Sequence, residues 1–233
     1  ADGFRVDAAI VGEPTALNIT WVHKGAVRWR LRTKGKAAHS SMPHLGVNAI
    51  YSMAAAIERI RGPVSERLHG ISHPELGRPT ICVGTIHGGT QNNVVPAECV
   101  IEIDRRMMPF EDRKALQSEL SKELEGIADT VPDFDFELEE YEYYPPFERS
   151  QDDPLMLAMT RACSKHIGRA DFNSAPFCTN AGFFEEGGIP CVVFGPGDSA
   201  KAHQADESVE LEQVVQATSV YAEMIRSWHR QEQ

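Results

Sequence analysis

The chain is poor in several things, and each shortage excludes a class. Its cysteines number only five and are odd in count (Cys82, Cys99, Cys163, Cys178 and Cys191), with no Cys-x-x-Cys spacing among them. A disulfide framework or a structural zinc knot is therefore excluded, and the expected setting is a reducing, cytoplasmic one. Positive charge is scarce: 23 Lys and Arg stand against 34 Asp and Glu, a formal net charge of −11. That balance argues against nucleic acid and against an anionic membrane surface as partners. No apolar run approaches the about 20 residues needed to span a bilayer. Gly-x-Gly-x-x-Gly, Gly-Lys-Ser/Thr, His-Glu-x-x-His and Gly-x-Ser-x-Gly are all missing. Those absences remove a dinucleotide fold, a P-loop, a zincin helix and a serine-hydrolase elbow.

What is present is ordinary in composition and long enough, at 233 residues, for one large or two small domains. Two short apolar runs, Ala8–Val11 and Ile189–Phe194, read as buried strands of a parallel sheet. The first runs into Gly12-Glu13-Pro14-Thr15, and the second into Gly195-Pro196-Gly197-Asp198-Ser199-Ala200-Lys201-Ala202-His203. Each delivers a metal-capable side chain past the carboxyl end of its strand, where open α/β sheets place their ligands. The chain opens on Ala1 almost directly into a core-type strand, so it is expected to be the later part of a longer protein.

Between these runs lies a second pattern. Trp21–Thr33 alternates as a strand, with Arg28, Arg30 and Arg32 facing one way and Val27, Trp29 and Leu31 the other. Gly46–Arg61 has helical spacing (Ile50, Met53, Ala54, Ile57, Ile60), and Gly62-Pro63 is expected to stop it, with a loop over 63–79. Thr80–His87 and Val94–Arg106 read as strands, Phe110–Ile127 as a charged helix, and Phe134–Tyr143 as a further strand. The order β-α-β-β-α-β is that of ferredoxin-like α+β sandwiches. After Tyr143-Tyr144-Pro145-Pro146, a helix over 153–168, a helix ending near 183–187, the strand at 189–194 and a terminal helix over 208–230 restore an α/β alternation. The expected architecture is an α/β domain interrupted by a small α+β insert.

The candidate site residues each carry two readings. Glu13 is a metal ligand or a solvated loop charge. His203, with Asp206 or Glu207 to orient its ring, is a metal ligand or a helix-terminal histidine. His39 and His44, in Ala38-His39-Ser40-Ser41-Met42-Pro43-His44, polarise a carbonyl or sit on the surface ahead of a capped helix. Asn92 and Asn93 precede one strand, and Arg106 lies at its far end. That arginine holds a substrate carboxylate or makes a strand-end salt bridge.

Taken in this order, the motifs resemble a family of dinuclear zinc amidohydrolases. It includes acetylornithine deacetylase, succinyl-diaminopimelate desuccinylase, aminoacylase and carboxypeptidase G, and the resemblance covers essentially the whole chain. The resemblance implies two zinc ions in the parent protein, with cobalt or manganese as alternatives. Glu13 would ligate one ion and His203 the other. It implies that His39, on the lid of one subunit, reaches its partner's site and steadies the oxyanion. Asn92 and Asn93 would bind the substrate amide, and Arg106 its carboxylate. Residues 1–19 with 143–233 would then be part of the catalytic α/β domain, and 20–142 a lid and dimerisation domain through which a homodimer forms. The substrate would be an N-acyl amino acid or a small peptide. Cys178-Thr179-Asn180-Ala181 departs from the family, which commonly has Asp where Asn180 stands. The family's His-x-Asp motif, bridging Asp and Glu-Glu pair, upstream of the position of Glu13, have no counterpart in this sequence. The chain by itself is therefore expected to be inactive and to bind metal weakly or not at all. The alternative reading is a non-catalytic dimerisation or binding module.

Overall fold

A computed structural model describes residues 6–202 and 204–228. In chain order the elements are β1 (Ala9–Val11), β2 (Ile19–His23), β3 (Gly25–Lys34), α1 (Ala49–Arg59), α2 (Ser65–Leu68), β4 (Thr80–Gly88), β5 (Glu98–Met107), α3 (Arg113–Glu125), β6 (Asp135–Tyr144), β7 (Phe147–Glu148), α4 (Pro154–Ile167), β8 (Phe172–Ala175), α5 (Ala181–Glu186), β9 (Cys191–Val193) and α6 (Leu211–Trp228). They divide into two compact units. One comprises the described residues of Ala1–Gly25 and Tyr144–Gln233, the other Ala26–Tyr143.

In the first unit a mixed sheet runs β1-β9-β2-β7, with β8 also paired to β2. The two apolar runs singled out in the sequence are immediate neighbours: β1 and β9 pair in parallel, Ile10 opposite Val192 and Val11 opposite Val193. Cys191, Val192, Val193 and Phe194 are fully buried, and α4 and α6 contribute Leu155, Met156, Met159, Ala217, Val220 and Met224 to the same core. Helix α4 shows why such a segment folds locally. Asp153 accepts the Leu155 N–H at 2.9 Å, Pro154 occupies the first helical position, and Gly168, at φ +79°, ends the helix in the left-handed conformation.

The second unit has strand order β4-β5-β3-β6. With α1 and α3 filling the connections, this is a ferredoxin-like βαββαβ sandwich. Val27, Trp29 and Leu31 of β3 and Cys99, Ile101 and Ile103 of β5 pack with Met53, Ala56, Leu120 and Leu124 of the helices. The alternate positions form a charge ladder on the other face of the sheet. Arg28 pairs with Asp104 and Glu142, Arg30 with Glu102 and Glu139, and Arg32 with Glu98 and Glu137.

Several sequence expectations shift. The single strand over 21–33 is two strands, because β2 pairs with β7, β8 and β9 in the first unit and the chain changes units after Gly25. Gly62-Pro63 does not stop the helix. Residues Ile60–Val64 form a π-helical turn containing Pro63, and α2 follows directly. The wider turn accommodates the ring and the missing N–H. Ile60, Val64 and Leu68 keep one buried stripe across it. β5 starts at Glu98 rather than Val94, α6 starts at Leu211 rather than Ser208, and β7 and β8 are too short to carry an alternation signal. The expected last residues of α6, 229 and 230, lie outside the described residues.

Candidate functional site

At the carboxyl ends of β1 and β9 the two motif loops are laced together. Thr15 Oγ1 accepts the Gly195 N–H at 3.1 Å and donates to the Asn18 carbonyl at 2.7 Å. The amides of Thr15 and Leu17 donate to the Gly195 carbonyl at 3.3 and 3.0 Å, and that of Ala16 to the Gly197 carbonyl at 2.6 Å. A Cβ on Gly195 would lie 2.5 Å from the Glu13 carbonyl oxygen, so only glycine permits this crossing. Ala16 and Leu17 sit at φ +52° and +62°, left-handed values that cost non-glycine residues about 1–3 kcal/mol each. The strain is held by the lacing and by Arg169, which donates to the Ala16 carbonyl at 3.0 Å and to Asn18 Oδ1 at 2.8 Å.

Glu13 projects from this rigid loop. Its side chain is half-buried and has no hydrogen-bond or ion-pair partner among the described residues, and burial raises its carboxyl pKa above the usual range. It lines a cavity of about 430 Å3 with Pro14, Asp198, Glu207, Val209 and Tyr221. Tyr221 donates its hydroxyl to the Phe194 carbonyl at 2.7 Å and so fixes the end of β9 against α6. His203 lies outside the described residues. Among the described residues, no three His, Cys, Asp or Glu side chains come together as a metal set. For a cation, the described residues therefore offer the Glu13 carboxylate, with Asp198 and Glu207 on the same cavity wall, and do not complete a site.

The second unit gathers the polar residues ahead of α1. His39 bridges Val94, the Ser40 amide donates to the Asn93 carbonyl at 3.0 Å, and the Val95 amide donates to the Ala38 carbonyl at 2.8 Å. His39 and Asn93 are thus brought together. The Ser41 N–H donates to His39 Nδ1 at 3.2 Å, with Ser41 Oγ 2.8 Å from the same nitrogen. A ring accepting at Nδ1 carries its proton on Nε2, and in exposed His39 that Nε2–H is available as a donor. Gly35 holds the base of this loop, since a Cβ there would meet the Val47 carbonyl oxygen at 2.3 Å. A cavity of about 930 Å3 beside it is lined by Ser40, Asn48, Tyr51, Gln91, Asn92 and Asp133. His44 lies on an exposed 3-10 turn, Pro43–Leu45.

Arg106 is not part of this cluster. It lies eight residues beyond Glu98 on β5, about 26 Å along the strand. Its guanidinium binds the Asp104 carboxylate at 2.7 and 3.3 Å. Sequence reading also passed over Arg105, which donates to Glu111 at 2.6 Å with both side chains buried (3% and 8% exposed). The strand period carried that signal, because Arg105 shares the parity of Ile101 and Ile103. Glu111, the partner, is set by the turn that follows the strand, where it also accepts the Met108 N–H at 2.7 Å.

Comparison with known proteins agrees with this fold. Residues 22–131 match the family described as the peptidase dimerisation domain. The acetylornithine deacetylase of Vibrio atlanticus is 31% identical over 230 residues, 97% of this chain and 58% of that protein. Among solved structures, aminopeptidase PepT from Bacillus cereus superposes with a TM-score of 0.74 at 22% identity, over 95% of this chain and 57% of its own. An M20 family metallo-carboxypeptidase from Sulfolobus solfataricus gives 0.68 at 19% identity, over 94% of this chain and 63% of its own. The chain spans a little over half the length of the curated relatives it matches. On sequence similarity over nearly all of its length, and on a fold shared over the same span, the chain belongs to the M20 family.

Proposed function

We propose that this chain is part of a metal-dependent hydrolase that cleaves an amide bond in an N-acyl amino acid or a small peptide. The observation that carries the reading is Glu13, a half-buried carboxylate without a partner among the described residues, at the parallel ends of β1 and β9. Glu13 and His203 would each ligate one of two zinc ions, with cobalt or manganese as substitutes. Metal bound there would polarise the scissile carbonyl and activate water. His39, with its proton on Nε2, would donate to the developing oxyanion in the site of a second copy, and Asn92 and Asn93 would hold the amide. Arg106 would take a substrate carboxylate only in competition with Asp104. The free cysteines support a cytoplasmic setting.

The second copy would dock along β4 and α1. β4 is an edge strand, and near it Ile86, Ile50 and Tyr51 are exposed at 54%, 37% and 74%. That apolar surface also favours a second reading, a dimerisation module without catalysis. One experiment separates the two. The longer polypeptide carrying this chain is assayed for zinc content and for hydrolysis of N-acetyl amino acids and dipeptides, alongside its Glu13→Gln variant. Two zinc ions per chain and a loss of about a hundredfold or more in kcat/KM on substitution are expected. Metal-free protein, or a variant as active as the parent, would overturn the hydrolase reading. The isolated chain is expected to be inactive, since one carboxylate and one imidazole fall short of about three protein ligands per catalytic zinc.

A further inference from the structure

One buried polar group in the first unit plays no part in the reading above. His23 ends β2, two residues before the chain leaves for the second unit, and is fully buried. Its Nδ1 lies 2.9 Å from the Lys24 carbonyl oxygen, and its Nε2 3.0 Å from Thr179 Oγ1. A nitrogen facing a carbonyl must carry the hydrogen, so Nδ1 donates and Nε2 accepts from the Thr179 hydroxyl. Thr179 Oγ1 in turn accepts the Ala181 N–H at 3.0 Å, at the start of α5. The bonds run in one direction, and each of these groups is satisfied: Ala181 to Thr179, Thr179 to His23, His23 to Lys24. The Lys24 amide continues the path by donating to the Ala175 carbonyl at 3.2 Å.

The same small region holds the returning linker. Residues 143 and 144 mark the second crossing between units. Tyr144 packs edge-on against Phe183 of α5, at 5.9 Å between ring centres. A Cβ on Gly182 would meet the Pro145 carbonyl oxygen at 2.2 Å, so α5 touches the linker backbone directly. Phe147, which pairs with His23 across β2 and β7, lies 5.3 Å from the imidazole.

We infer that the 178–180 loop and α5 form a common anchor for both linkers to the second unit, with His23 and Thr179 as its polar pin. The two side chains are positioning residues: they act through the backbone at Lys24 and Ala181. Apolar packing alone would hold α5, but it would not tie the outgoing linker to it. The hydrogen-bond path does so, and it needs a neutral imidazole in one tautomer. The anchor rests on these contacts and not on the hydrolase reading, so either can fail without the other.

Amide exchange on the full chain tests it. In Thr179→Val, exchange at both Ala181 and Lys24 is expected to rise about tenfold or more, while Val192 in β9 of the same unit is unchanged. Thr179→Ser should restore both. A rise at Ala181 alone would make Thr179 a simple helix cap. A rise at all three would make it a general stability residue, and failure of Ser to restore would remove the hydroxyl's role. Each of these results overturns the anchor. Should the valine variant not fold, the 15N spectrum of the His23 ring in the unaltered chain decides. A neutral ring protonated on Nδ1 at pH 7 is expected, and a charged ring or the other tautomer overturns the inference.

Discussion

Lowering the pH from 7 to 4 should destabilise the first unit through His23. Burial among Phe147 and the β2 backbone holds its pKa down to about 4, from an ordinary 6.5, because the imidazolium loses its hydration there. Between those two values the unfolded chain binds a proton that the folded chain does not. Stability therefore rises with pH across that window, and the contribution is fully lost as the pH falls to the folded value. A difference of this size corresponds to about 3 kcal/mol between pH 7 and pH 4, with about one proton taken up on unfolding near pH 5. Other groups also titrate here, and Glu13, whose pKa is raised by burial, works in the opposite direction. A His23→Asn variant isolates the titration, since it keeps a donor for the Lys24 carbonyl at the Nδ1 position but does not titrate. Opening of the first unit, read from exchange of the buried Val192 and Val193 amides, is measured for both proteins from pH 4 to 7. The two stabilities should converge by about 3 kcal/mol toward acid. A difference that is flat over this range would refute the argument, because it would mean that His23 is as easily charged folded as unfolded.

Three further outcomes follow from other contacts. Gly195→Ala should cost about 1–3 kcal/mol and loosen the Thr15–Gly195 bonds, since the new methyl meets the Glu13 carbonyl. Urea unfolding and amide exchange of Thr15 check this, and unchanged exchange would contradict it. Arg105→Met alone should cost about 3–5 kcal/mol by stranding the Glu111 charge, whereas Arg105→Met with Glu111→Leu should cost much less. Additive losses in that double-mutant cycle would count against a buried pair. Ile86→Lys should shift the proposed dimer toward monomer at micromolar concentration, read by sedimentation, with little effect on the fold because the side chain is exposed in one chain. An unchanged sedimentation profile would place the interface elsewhere.

Local patterns revealed the elements but not their partners. The ferredoxin-like unit was readable because β3 and β5 alternate strictly and α1 carries an apolar stripe, signals that depend on nearest neighbours in the sequence. The end of α1 was not readable. Gly62-Pro63 is a local stop signal, overridden because Ile60 and Val64, on either side of it, both reach the same core. Arg106 was singled out by its residue type. Only the folded strand, which puts residues two apart on one face, shows that Asp104 already occupies its guanidinium.

The sequence by itself determined the secondary-structure alphabet, the two strand-end motifs and their acidic and imidazole side chains, because each is written within a few consecutive residues. The tertiary structure alone decided that β1 and β9 lie side by side in parallel, and that Gly195 must be glycine for Glu13 to pass. It also decided that the Glu13 carboxylate has no partner among the described residues, and that a histidine in β2 is joined to Thr179, 156 positions away. The physical reason is the same in each case. Burial, close approach and hydrogen-bond direction are properties of what the chain packs against, and long-range packing sets those neighbours.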